Sequence, residues 1–306
     1  AAGASHGGGV TLDCGQLGFV DTHCHLDAIL PRLASERKRD AKKAEARGQP
    51  PPAPLGTGFD AWRASLEGPE KDLEACITIG CAKKTFAPVE SLLGHAGVYG
   101  AFGIHPLYAA DWSLGVEEQL CQLMNHEKVV AWGECGLDYH DKDTGQPTVD
   151  EELKALQRRV FARQIELAVA AGKPLVVHTR SADDDTWEVL SQHLPESHPV
   201  HVHCFTSSPE LAAKLLDRFP RLNLGFTGVV TFKNAGHVKD VVRDTPLDRI
   251  LLETDGPYMA PVPFRGKIAH PGHVAYVARA VAELKGVPLS DVLCTCRANT
   301  RRLYGV

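Results

Sequence analysis

The chain has 306 residues, 43% of them apolar and 23% charged, and no stretch approaches the roughly 20 consecutive apolar residues that a membrane-spanning helix needs. Its 33 basic and 38 acidic residues give a net charge of −5, which excludes a nucleic-acid binder that works through a global positive field; any phosphate has to be held locally. The length suits one domain over residues 1–306, and the nine scattered cysteines, odd in number and partly inside apolar runs, point to reduced thiols in a cytosolic or nuclear protein.

Residues 1–10 are small, polar and glycine-rich, without the apolar core of a secretory signal, and read as a disordered tail. A short apolar run at 18–20 then opens a strand that ends in Asp21-Thr22-His23-Cys24-His25. Residues 31–68 interrupt the rhythm with a charge-rich run over 36–47 and a proline-rich stretch over 48–58, and are expected to form a solvated surface helix and loop inserted after the first strand. Further apolar runs follow at 75–79, 98–102, 129–132, 175–177, 200–202, 222–224 and 250–252, with amphipathic segments at 149–171, 183–193, 209–219 and 273–285. Eight short strands alternating with helices predict an α/β fold, a (β/α)8 TIM barrel. A doubly wound open sheet is the runner-up, weakened because no G-x-G-x-x-G or G-x-x-x-x-G-K-[ST] phosphate cradle follows any run.

The polar residues at the ends of these runs carry the chemistry. His23 and His25 are two apart, so on a strand both imidazoles share a face. Glu134 follows the fourth run, His178 the fifth, His203 the sixth and Asp255 the eighth, and in a barrel all would meet at the C-terminal face, where active sites of this fold lie. Four histidines and two carboxylates suffice for two divalent metal ions, whose identity (Mg, Mn, Zn or Co) this donor set leaves open. We assign His23, His25 and Asp255 with Glu134 to one ion, and Glu134 with His178 and His203 to the other; Glu134 bridges because a carboxylate has two oxygens. Such a pair supports hydrolysis, with Asp255 as the catalytic general base and Glu134 as the bridging catalytic ligand. Cys24, Cys135 and Cys204 each adjoin a ligand and are expected to face the opposite way.

In this order, Asp21-Thr22-His23-Cys24-His25-Leu26-Asp27, Gly103-Ile104-His105-Pro106, Gly133-Glu134-Cys135-Gly136-Leu137-Asp138-Tyr139, His178-Thr179-Arg180, His203-Cys204-Phe205, Thr231-Phe232-Lys233-Asn234 and Glu253-Thr254-Asp255-Gly256-Pro257-Tyr258 resemble the TatD-like metal-dependent deoxyribonucleases, a branch of the amidohydrolase superfamily. The resemblance implies a cytoplasmic or nuclear exonuclease with DNA as its substrate and no membrane partner, and it implies the same ligands: His23, His25, Glu134, His178, His203 and Asp255. It also implies that His105 faces substrate. Arg180, Lys233, Arg265 and Lys267 are candidates for gripping phosphate, since an acidic protein needs cations where a polyanion sits. Where the family usually carries an acidic residue shortly after its Arg-Gly-Lys, this chain has His270. Two other readings differ in class: a metal barrel that cleaves an amide, lactone or phosphoester outside nucleic acids, and a non-catalytic binding protein, for which a complete set of buried metal ligands would be an unexplained cost.

Overall fold

A computed structural model describes residues 18–50, 58–140 and 150–306; the tail expected over 1–10 and part of the segment expected to be inserted at 31–68 lie outside them. The strands are β1 (Phe19–Cys24), β2 (Leu73–Gly80), β3 (Val98–Phe102), β4 (Val129–Asp138), β5 (Leu175–Arg180), β6 (Val200–Val202), β7 (Leu222–Phe226) and β8 (Ile250–Leu252). They form one parallel sheet in sequential order, the TIM barrel expected from the sequence. The helices are α1 (Leu26–Ala46), α2 (Phe59–Ala64), α3 (Lys83–Leu92), α4 (Leu114–Leu123), α5 (Glu151–Ala171), α6 (Asp183–His193), α7 (Pro209–Arg218), α8 (Gly236–Asp244), α9 (Val274–Lys285) and α10 (Leu289–Tyr304).

Two apolar layers hold the fold together. One lies between strands and helices; the other is a smaller cluster of Ile77, Ile79, Ala101, Ala131, Val176 and Leu251, against which Leu303 and Tyr304 of α10 pack. Small and branched side chains of this kind fill a barrel interior. The tyrosine hydroxyl of Tyr304 reaches 2.6 Å from His201 Nδ1, so the C-terminal helix both packs on the interior cluster and partners one nitrogen of a buried imidazole.

Between β8 and β1 the ring is completed by single contacts near the carboxyl ends of the strands. Thr22 Oγ1 donates to the Leu252 carbonyl at 3.1 Å, and the amides of Asp255 and His25 donate to the carbonyls of His23 and Gly256, each at 2.9 Å. The buried Asp21 carboxylate accepts from the Thr254 amide and hydroxyl at 3.0 and 2.5 Å. The closure therefore falls on the residues flanking His23, His25 and Asp255, and it sets their relative positions.

The segment after β1 differs from the wholly solvated excursion expected of it. The helix starts earlier, at Leu26, and runs through Pro31, burying Leu26 and Ile29 and leaving its charged stretch outside. Farther on, α2 buries Phe59 and Trp62 in the main apolar layer. Two aromatics three residues apart, beyond the proline-rich stretch, are too few to set a hydrophobic period, so no local pattern marks these anchors.

Helix α5 places the site most directly. Asp150 caps it through the Leu153 amide (2.7 Å), Glu151 and Glu152 suit the positive end of its dipole, and Gly172 ends it at φ 64. Two turns apart on its inner face, Gln157 and Gln164 are buried. Gln164 Oε1 accepts from the Ile104 amide at 2.8 Å and its Nε2 donates to the Ile104 carbonyl at 3.0 Å; Gln157 makes the same pair with the backbone of Asp138 at 2.9 and 3.0 Å. These bonds fix the ends of two neighbouring strands, next to His105 and at Asp138.

Candidate metal centre

The carboxyl ends of the strands gather His23, His25, His105, Glu134, His178, His203 and Asp255, as the sequence predicts. Glu134 stands at the centre. Its Oε1 lies 2.9 Å from His178 Nδ1 and 2.7 Å from His203 Nε2, and these two nitrogens are 3.0 Å apart. Its Oε2 turns the other way, 3.5 Å from His23 Nε2. Asp255 Oδ1 completes that second group at 3.7 Å from His23 Nε2 and 3.4 Å from His25 Nε2. The His23 and His203 rings stack with centroids 3.8 Å apart.

Glycines in β4 allow this approach. A Cβ on Gly136 would stand 1.9 Å from the His178 carbonyl oxygen, and Gly136 has φ 147, a conformation open mainly to glycine. With no side chain there, β4 presses against β5, and Glu134 reaches His178 across the ladder. Asp255 has φ 50, in the left-handed region that Asp tolerates better than most residues; the chain turns out of β8 there and aims the carboxylate back at the histidines.

The charge balance is that of a site built for cations. Burial pushes the Glu134 carboxyl up, but His203, His105 and His178 outweigh it and hold the group well below its ordinary range. Burial likewise opposes ionisation of Asp255, and the hydrogen bond from His25 with the nearby His23 and His203 keeps it low. His25 and His178 resist burial because carboxylates face them, and each is raised to about 9. Burial dominates at His23, which is lowered to about 3. Both ring nitrogens of His23 and Nδ1 of His203 are buried without a hydrogen-bond partner among the described residues. Orphaned buried nitrogens beside ionised carboxylates are what a metal centre requires of its ligands, so the residues present fit divalent ions.

His105 is also lowered to about 3, first by burial. Its Nδ1 accepts from the Leu107 amide at 3.1 Å, which leaves the proton on Nε2, 3.4 Å from Glu134 Oε1. Asp138, to which the sequence pattern assigns no role, lies 3.2 Å from His178 Nε2 through Oδ2 and orients that ring from the far side, as carboxylates behind metal-binding histidines do. Its even spacing from Glu134 along an extended strand was the available signal.

The centre opens into a cavity of ≈ 780 Å³ whose lining includes His25, Glu134, Arg180, Lys84, Tyr108 and Tyr258. Of the four candidate phosphate-gripping cations, Arg180 lines it. Lys233, Arg265 and Lys267 are exposed and outside that lining; Arg265 sits over the Phe232 ring at 3.6 Å and Lys267 faces Glu36 at 3.9 Å. Lys84, which no sequence motif marks, stands in the lining and over the Tyr108 ring.

Cys24 and Cys135 point away from the ligands, into the layer between strands and helices. Cys204 does not: it lines the cavity, with φ 44 and its Sγ 3.5 Å from Met259 Sδ. Strand alternation fails there because β6 has already ended at Val202. Most of the described cysteines are free thiols, but Cys294 is disulfide-bonded and departs from the expectation of uniformly reduced cysteines. Replacing Cys24 or Cys135 by Ala is expected to leave metal content unchanged, which elemental analysis of the purified variants checks; loss of an ion in either would contradict the packing seen here.

An eight-stranded parallel barrel with histidines and carboxylates converging at the carboxyl ends of its strands defines a metal-dependent hydrolase. The chain belongs to the TatD related DNase family, whose model matches residues 20–305. It is 37% identical over 294 residues to human 3'-5' RNA nuclease TATDN2, covering 94% of this chain and 35% of that protein, so it spans about a third of that relative's length. It is also 37% identical over 292 residues to the uncharacterized metal-dependent hydrolase YabD of Bacillus subtilis, covering 94% of this chain and 99% of that one. Among solved structures, the TatD homolog YJJV of Escherichia coli superimposes with a TM-score of 0.74 at 27% identity, covering 95% of this chain and all of that one. No helix of the described residues is long and apolar enough to cross a membrane.

Proposed function

We propose that the chain is a two-metal phosphodiesterase that removes nucleotides from an end of DNA, in the cytoplasm or nucleus. The observation that carries this reading is the placement of the two Glu134 oxygens, one toward His178 and His203, the other toward His23 with His25 and Asp255 beside it. In that arrangement His23, His25 and Asp255 with Glu134 would hold one divalent ion, and Glu134, His178 and His203 would hold the other. Bound there, such ions would supply polarisation of a phosphoryl group and a lowered pKa for water. Asp255, ionised at neutral pH, takes the proton of the attacking water. His105 donates its Nε2 proton to a phosphate oxygen, and Arg180 and Lys84 offset the charge of the backbone.

The cavity supports action at an end. Its volume falls in the range of pockets that enclose a small ligand, and the half-exposed Tyr258 ring at its edge offers a face for a terminal base to stack on. Two cations in the lining favour a phosphate over an amide or lactone. A second reading, RNA as the substrate, is favoured by the name of the human relative. Incubation of the purified protein with end-labelled single- and double-stranded DNA and RNA, with Mg, Mn, Zn or Co or a chelator, tests both. Metal-dependent shortening of DNA from one end is expected; shortening of RNA alone would favour the second reading, and intact nucleic acids beside a cleaved lactone or amide would overturn both.

Metal binding on this reading is coupled to pH. His25 and His178, raised to about 9 in the metal-free protein, carry protons at neutral pH that a ligand has to lose. Affinity is therefore expected to rise with pH up to about 9 and level off above it, changing by about tenfold per pH unit for each proton expelled. Calorimetry in buffers of different ionisation enthalpy reads the proton release directly; metal affinity flat between pH 6 and 9 would contradict this.

A further inference from the structure

We infer that Glu70, His270 and His273 form a structural site for a zinc-class transition-metal ion, apart from the barrel mouth, that ties the loop after Asp255 to the turn before β2. The turn Gly68–Asp72 carries Glu70, and the turn Pro271–His273 ends in the second histidine. The two turns are in contact through Gly272, where an added Cβ would stand 2.9 Å from the Glu70 Cβ. None of the three side chains lines the mouth cavity.

Their donor atoms lie within 4.8 Å of one another. His270 Nε2 is 3.9 Å from Glu70 Oε2, and His273 Nε2 is 4.0 Å from Glu70 Oε1. Both separations are too long for hydrogen bonds and exceed by roughly half an ångström the separation of about 3.4 Å between two ligand atoms on a tetrahedral zinc, so a small side-chain movement would bring each pair onto one ion. The surroundings are built, not incidental. The His270 and His273 rings lie 3.8 Å apart, Phe264 stacks on His273 at 4.5 Å, and Trp62 meets His270 edge-on at 5.6 Å. Side-chain exposure is 3% at His273, 13% at His270 and 16% at Glu70, and Nδ1 of both histidines is buried with no partner among the described residues. Burial keeps the two imidazoles neutral, with His270 lowered to about 4 and His273 to about 3. Neutral rings cannot neutralise Glu70 by forming salt bridges, but they are the form in which histidine binds a metal.

Two imidazoles and one carboxylate suit zinc or cobalt, leaving a fourth position for water. The mechanical consequence follows from the chain. Ala269, just before His270, donates its amide to the Pro257 carbonyl at 3.1 Å, and Pro257 follows Gly256 and Asp255. An ion on His270 therefore braces the peptide that turns Asp255 toward the histidines of the mouth.

Crystals of the unaltered protein grown with Zn2+ test the site without a variant, by anomalous diffraction at the zinc edge. A peak bonded to Glu70, His270 and His273 is expected, and its absence with zinc present at the mouth would overturn the inference. In solution, the folded Glu70→Gln/His270→Gln protein, loaded with Zn2+ and freed of excess, is expected to hold one ion per chain fewer than the unaltered protein. With Co2+ it should lose part of the visible absorption of tetrahedral cobalt. Equal zinc content and identical cobalt spectra would overturn the inference; should the variant not fold, the diffraction result decides.

Discussion

Replacing Asp255 by Asn is expected to lower turnover by about two to four orders of magnitude, the usual worth of a general base, while metal content stays close to that of the unaltered protein. The two effects separate because Asn keeps a carbonyl oxygen where Asp255 Oδ1 faces His23 and His25, yet it cannot take a proton from water. The backbone that holds the residue is untouched: its amide bond to the His23 carbonyl remains, and Asn tolerates the left-handed φ of 50 as well as Asp does. Hydrolysis rates across a metal titration, with metal content measured in parallel, make the test. Full recovery of activity at high metal would show that Asp255 is a ligand only.

Glu134→Gln should behave differently. The substitution removes one negative charge that faces both donor groups, 2.7–2.9 Å from His203 and His178 on one side and 3.5 Å from His23 on the other. Both ions should bind more weakly, and activity should fall at low metal and recover in part as metal is raised. Replacing the carboxylate also takes away the charge that helps hold His178 protonated in the metal-free protein, so its raised pKa should move back toward the ordinary value, an effect visible by NMR titration. If both ions remain at native affinity in this variant, Glu134 does not bridge them.

The sequence alone determined the barrel and which histidines and carboxylates converge at its mouth, because both depend on local repetition. Apolar runs at strand spacing specify βα units, and a polar residue just past each run lands on one face of any closed parallel sheet. That reasoning reaches His23, His25, Glu134, His178, His203 and Asp255 one at a time. What only the tertiary structure decided depends on which distant residues meet. Gln157 and Gln164 look like ordinary polar positions of an amphipathic helix, and only packing α5 against the ends of β4 and the loop after β3 turns them into supports for Asp138 and Ile104. Lys84 enters the mouth while Lys233, Arg265 and Lys267 stay outside its lining, since a long flexible cation takes its place from the surface it finds rather than from its neighbours in sequence. Cys204 faces the cavity because β6 stops one residue before His203 and the alternation rule stops with it. His270 stood out in the sequence only as an unusual residue. Its nearness to Glu70, two hundred residues away along the chain, exists only because the turns before β2 and α9 pack together, a contact that no local pattern encodes.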